Sequence, residues 1–375
     1  MTPRLYLHVG FMKTGTSYLQ SVFWNSLDAL RGQGLDLVPG TRVATHRLML
    51  DVTGRYQPGE DPPAVGQALE RLPALLAAST TPRALFTSET VVPADDQQIA
   101  RLLAACGSHE VHLVLTVRDL ARQIPSSWQQ RLRMGSTQPY DDFLARLRRT
   151  EGSPDKPGPW RQKDLVTALE RWGRHVPPER IHVVTVPPPG GEPEELLRRF
   201  CSVLEVDPTL LRTETTRANE ALGHVGAELL RRVNSRIDER LKTRRLFGEV
   251  GKRYFALGVI GSDSGRKIKL PEEYAEWCRA VSKKYADHLR NGYHVVGDPD
   301  DLLPVASAFT SEPHLPTEAE LAEAGADALA AVLTERLEQR RDRRRARRRA
   351  RRRRPAAPRS LSHRLRGRLR RIVRS

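Results

Sequence analysis

Between residues 8 and 20 the chain reads HVGFMKTGTSYLQ. Eight consecutive positions hold two glycines (Gly10 and Gly15), one lysine (Lys13) and three hydroxyls (Thr14, Thr16 and Ser17). Glycine allows tight turns and close approach of the backbone to a ligand. Lysine adds a full positive charge. A helix starting behind the second glycine would offer unpaired N–H groups and the positive end of its dipole. This combination suits an anion of the phosphate type. It differs from the Walker A pattern, G-x-x-x-x-G-K-[ST], because the lysine precedes the second glycine by two residues; an ordinary ATP or GTP enzyme is therefore disfavoured.

Such a loop needs a strand before it and a helix after it. RLYLHV, from Arg4, reads as a buried strand, and TSYLQSVFWNSLDALRGQG as one helix closed by glycine. RALFTSE (83–89), VHLVLTV (111–117) and RIHVVTV (180–186) read as further strands. Helical patterns separate them, over about 95–106, from about Leu120, and in DLVTALERWGRHV. Apolar runs of this length alternating with helices imply an α/β fold with a doubly wound parallel sheet covered on both faces. Ligands of such sheets bind beyond the carboxyl ends of the strands, which is where residues 10–17 fall. Residues 190–305 read as mostly helical, with a helix over 221–236. Thr317 and Glu320 have the spacing of a capping box opening a helix that runs into an arginine block.

The strand followed by GFMKTGTSYLQ resembles the 5′-phosphosulfate loop of sulfotransferases that use 3′-phosphoadenosine 5′-phosphosulfate, in a bacterial, heparan-sulfotransferase-like branch of that family. The resemblance implies a P-loop-like sulfotransferase fold, that nucleotide as sulfuryl donor, and Gly10, Lys13, Thr14, Gly15, Thr16 and Ser17 as its phosphosulfate site. It also implies that an arginine after a later strand and a serine eight residues on hold the 3′-phosphate. VHLVLTVRDLARQIPSSWQQ supplies Arg118 and Ser126 at that spacing, and a guanidinium fork with a hydroxyl suits such a group. TTRANEALG and NGYHVVGDPDDL look like stretches of bacterial members, with Arg217 and Asn219 facing the 3′-phosphate side or Asn219 capping the next helix. Sulfuryl transfer would use Lys13 to neutralise charge on the bridging oxygen, and no metal is required. Glu89, at the end of the second long strand, stands on the same rim as Lys13 and is the expected base; His46 is its rival. Trp128 reads as core, with Gln129 near the nucleotide or acceptor.

The net charge of +17 is unevenly distributed. Residues 340–375 contain 19 arginines and one acid, Asp342, giving +18, whereas residues 1–339 carry −1. A like-charge block of this kind cannot bury itself. It would adhere to an anionic surface, and the absence of interleaved aromatics favours a membrane surface over nucleic acid. No run approaches 18 apolar residues, and the first residues lack a signal-peptide pattern. The expectation is a cytoplasmic enzyme, peripheral to the inner membrane face, with a catalytic domain over 1–305, a linker and helix over 306–339 and a tail over 340–375. The acceptor is a hydroxyl or amine on a carbohydrate, lipid or small molecule. The alternatives are another nucleotide or phosphoryl-transfer enzyme on a related fold, and a polyanion-binding protein acting through its tail.

Overall fold

The computed structural model of the chain describes residues 2–153, 158–192, 194–214, 221–261 and 265–353. The stretch carrying Arg217 and Asn219 and the final residues from 354 lie outside these. The chain gathers into two compact units, Met1–Leu321 and Ala322–Ser375.

The first unit is built on strands β1 (Arg4–Gly10), β2 (Leu35–Leu37), β3 (Arg83–Thr87), β4 (Glu110–Val117) and β5 (Ile181–Thr185), with a short pair, β6 (Leu270–Pro271) and β8 (Phe309–Thr310), and the edge strand β7 (His294–Val296). Six of them form one sheet in the order β2-β3-β1-β4-β5-β7, every pairing parallel. The order confirms the doubly wound α/β expectation. The chain passes from β3 to β4 across β1, so β1 lies at the point where the winding reverses, and a crevice opens at its carboxyl end.

Alternation along the strands supplies both faces. Leu5, Leu7, Val9, Phe86, Leu113 and Leu115 belong to one core cluster. Tyr6, Leu85, Val114 and Val184 belong to a second, covered by α1 (Thr16–Asn25), α2 (Leu27–Gly32) and the later helix over Glu195–Leu204. The first cluster is covered by helices that include α3 (Arg42–Val52), α4 (Leu72–Ala77), α5 (Asp96–Ala105), α6 (Leu120–Arg133), α7 (Tyr140–Arg149) and α8 (Leu165–Gly173). The element α9 (Glu195–Leu204) is followed by α10 (His224–Asn234), α11 (Arg244–Phe247), a π-helical stretch Gly248–Val259, α12 (Ala275–Arg290) and α13 (Glu318–Arg353). Burying one such leucine is worth about 1.5–3 kcal/mol, so these alternations hold strand register firmly.

Two expectations need correction. The helix read over 16–34 is broken at Ser26, which leaves helical geometry while its buried hydroxyl accepts the Arg212 N–H at 2.8 Å. The stretch 190–305 is less uniformly helical than its pattern suggested, because it contributes β6 and β7; at two and three residues these strands are too short to show a period. The expected capping box is present, with Thr317 and Glu320 bonded reciprocally at 2.8 and 3.3 Å. Among the described residues no helix is long and apolar enough to cross a membrane.

Three histidines join the later strands across the sheet. His112 Nδ1 lies 3.0 Å from His182 Nε2, and His182 Nδ1 lies 2.9 Å from His294 Nδ1. Burial, reinforced by its two neighbours, pushes the His182 imidazole down to about 4. Its folded value is below that of the unfolded chain, so between about pH 6.5 and 4 the unfolded state binds more protons. This contribution to stability is present above that window and is lost as pH falls through it. Denaturant midpoints measured from pH 7 to 4 should therefore fall less steeply in His182→Gln than in the parent chain.

Candidate active site

The β1–α1 loop owes its shape to where its carbonyl groups go. Four successive C=O groups are taken up by the fold. Gly10 O faces Thr116 Oγ1 at 3.3 Å, Phe11 O accepts from Thr14 Oγ1 at 2.5 Å, Met12 O from Gln123 Nε2 at 2.9 Å and Lys13 O from Arg118 Nη1 at 3.2 Å. The Phe11 N–H donates to Thr116 O at 2.7 Å. Beyond Phe11, no backbone N–H of residues 12–17 donates to a protein acceptor among the described residues. Helix α1 opens at Thr16 without a side-chain cap, so its first donors are left for a ligand.

The two glycines have distinct tasks. Gly15 caps α1 at φ 84°, and a Cβ there would run into Leu196 of α9. Gly10 has φ 150°, and its Cβ would lie 3.0 Å from the Glu89 carbonyl oxygen and from Val92. The loop can approach α9 and the β3 end this closely only without side chains at these positions.

Lys13 has a positive φ of 68° and donates to Gln130 Oε1 at 3.0 Å. Burial, then the charges of Arg133 and Lys252, push its ammonium down to about 8, although Glu89 acts in the opposite direction. Arg118, directly after β4, is half-buried, and burial with the nearby Arg122 pushes it down to about 10. Its Nε is buried with no hydrogen-bond partner among the described residues, which is a costly state in the absence of an anion.

Two cavities flank the loop. The larger, about 760 Å³, is lined by Arg118, Arg122, Ser126, Gln129, Lys267 and Lys269 among others. It thus brings together Arg118 and Ser126, whose hydroxyl among the described residues bonds only back to Arg122 O at 3.0 Å. The smaller, about 390 Å³, is lined by Met12, Arg55, Glu89, Thr90 and Arg161 among others. Glu89 accepts from Gln20 Nε2 at 2.9 Å, and the charges of Lys13 and Lys252 face it. His46 does not line this cavity. It sits on the surface of α3, where partial burial and then the charges of Arg244 and Arg55 hold its imidazole below the usual range.

The expected site residues thus fall into separate places. Lys13 and Gly15 are partly exposed and Ser17 exposed, whereas Thr16, the first residue of α1, is buried. Thr14 is fully buried and its hydroxyl points into the fold, leaving only its backbone for a ligand. Trp128 is core: its Nε1 donates to Gln138 O at 2.9 Å and its ring packs on Tyr140. Sequence reasoning missed Lys267 and Lys269. Their signal was the alternation Lys-Ile-Lys just before β6, which puts both charges on one side of an extended segment. It also missed Lys252, hidden in a stretch with no helical period.

No protein-family model and no curated protein matches the chain. Among solved structures it resembles a sulfotransferase from Alicyclobacillus acidocaldarius, with 13% identity, a TM-score of 0.38 and coverage of 58% of this chain and 88% of that one. It also resembles the sulfotransferase domain from the curacin biosynthetic pathway, with 13% identity, a TM-score of 0.30 and coverage of 58% and 79%.

An anion held on this loop would be attracted by the charged form of Lys13. Affinity of the loop for an anionic ligand should be level below about pH 8 and fall roughly tenfold per unit above it. Calorimetric titration across pH 7–10 checks this, and Lys13→Met should abolish the dependence along with most of the affinity.

Proposed function

We propose that this protein is a sulfotransferase that moves the sulfuryl group of 3′-phosphoadenosine 5′-phosphosulfate to a hydroxyl or amine of a carbohydrate, lipid or small-molecule acceptor. The observation that carries this reading is the inward capture of all four loop carbonyls beside Lys13, with a cationic cavity on one side and a carboxylate cavity on the other. The N–H groups of the loop and α1 suit the phosphosulfate. The orphaned Arg118 Nε, with Ser126, Lys267 and Lys269, suits a second phosphate on the same nucleotide.

In this reading the acceptor oxygen attacks sulfur from the Glu89 side. The bond from sulfur to the 5′-phosphate oxygen breaks, and its electron pair leaves with adenosine 3′,5′-bisphosphate. Lys13 stabilises the negative charge growing on that oxygen, and Glu89 takes the acceptor's proton. Arg55 and Arg161 beside Glu89 favour an acceptor that itself carries a negative group. The sheet and loops mainly hold groups in place, which is what an in-line group transfer requires.

Release of adenosine 3′,5′-bisphosphate from the donor, with a panel of sugars, phenols and amines as acceptors, tests the proposal. Lys13→Ala should lower kcat by about 10²–10³. Glu89→Gln should lower kcat by roughly 10²–10⁴ with nucleotide binding little changed. Wild-type rates in both variants would contradict the assignment.

A further inference from the structure

His8 lies beneath the loop, on β1, fully buried and edge-on to Phe200 of α9 with ring centroids 4.7 Å apart. Neither the anion site nor the acceptor cavity includes it. Yet it stands in the middle of a continuous line of hydrogen bonds between them. Thr14 Oγ1 is 2.6 Å from Thr116 Oγ1, which is 3.1 Å from His8 Nε2. His8 Nδ1 is 2.8 Å from Thr87 Oγ1, which accepts from Gln20 Nε2 at 3.3 Å; the same amide donates to Glu89 at 2.9 Å.

The direction of this line follows from counting protons. The Phe11 carbonyl can only accept, so the single hydroxyl proton of Thr14 is spent on it. Thr14 Oγ1 must then accept from Thr116. With its own proton used, Thr116 can offer His8 only a lone pair, so His8 Nε2 carries the hydrogen. In a neutral ring Nδ1 is then bare and accepts from Thr87, and Thr87 in turn accepts from Gln20. The remaining amide proton of Gln20 meets the Glu89 carboxylate. The Thr116 proton is shared between Thr14 Oγ1 at 2.6 Å and the Gly10 carbonyl at 3.3 Å, and one Gln20 proton between Thr87 Oγ1 and the Thr87 carbonyl at 3.5 Å; neither sharing reverses the line. The neutral ring agrees with burial, which pushes His8 down to about 3. A second ring proton would face the Thr87 hydroxyl and break the line.

We propose that His8 is a positioning residue for the transfer reaction, its neutral Nε2–H ring tying the anion-binding loop through Thr116 and Thr14 to the Glu89 carboxylate through Thr87 and Gln20. This role rests on the sulfotransferase reading above. It accounts for three threonines and a histidine meeting at the carboxyl ends of three adjacent strands, where apolar side chains would pack more simply.

The test uses the full chain. ¹⁵N–¹H spectra of histidine-labelled protein at pH 7 should show His8 as a neutral ring protonated on Nε2. Thr87→Val removes the donor to Nδ1 without opening a large space, and should lower kcat by about tenfold or more, with KM for 3′-phosphoadenosine 5′-phosphosulfate within about twofold. Thr87→Ser keeps the hydroxyl and should restore kcat. An Nδ1–H tautomer, a charged His8, or wild-type turnover in Thr87→Val would overturn the proposal while leaving the sulfotransferase reading intact. A parent protein that neither binds nor consumes the donor would overturn both, whatever the tautomer.

Discussion

The fate of four carbonyl groups determines what this molecule can do. A chain leaving a parallel strand and entering a helix can point its peptide dipoles either way. Here side chains from β4, α6 and the loop itself claim the oxygens of residues 10–13, and the backbone N–H groups of residues 12–17 are left without a protein acceptor among the described residues. A buried carbonyl left unbonded costs about 1–3 kcal/mol, so the arrangement resists inversion. The two flanking glycines are a consequence, since only their backbones fit against Leu196 and the Glu89 carbonyl.

The loop divides the crevice by charge. On the α6 side the lining is strongly cationic and includes an arginine whose Nε has no protein partner. On the β3 side a carboxylate stands among cations that approach it without bonding to it. Lys13 lies between, with its proton held less firmly than an exposed lysine would hold one. In the proposed reaction a donor nucleotide and an acceptor would meet over this single ammonium group. The doubly wound sheet makes this possible because the ends of β1, β3 and β4 are neighbours.

Much of this was legible in the chain. The four long strands, the loop and the Arg118–Ser126 spacing are written in local patterns of apolar runs, glycines and charges. What was not legible depends on tertiary contact. Ser26 breaks a helix because a distant N–H needs its hydroxyl. Thr14 looked like a ligand-binding hydroxyl and instead serves Phe11 and Thr116. His8 sits inside an apolar strand pattern, and only the register that sets it beside Thr87 reveals a polar line through the core. Lys267 and Lys269 belong to the crevice only because β6 is carried back beside α6.

The central claim is that one nucleotide with two separate phosphates spans the loop and the Arg118 cavity. The most direct measurement is calorimetric binding of adenosine 3′,5′-bisphosphate and of AMP to the full chain and to Arg118→Ala. The account predicts micromolar binding of the bisphosphate, much weaker binding of AMP, and loss of that difference in the variant. Equal binding of the two nucleotides, or binding indifferent to Arg118, would contradict it.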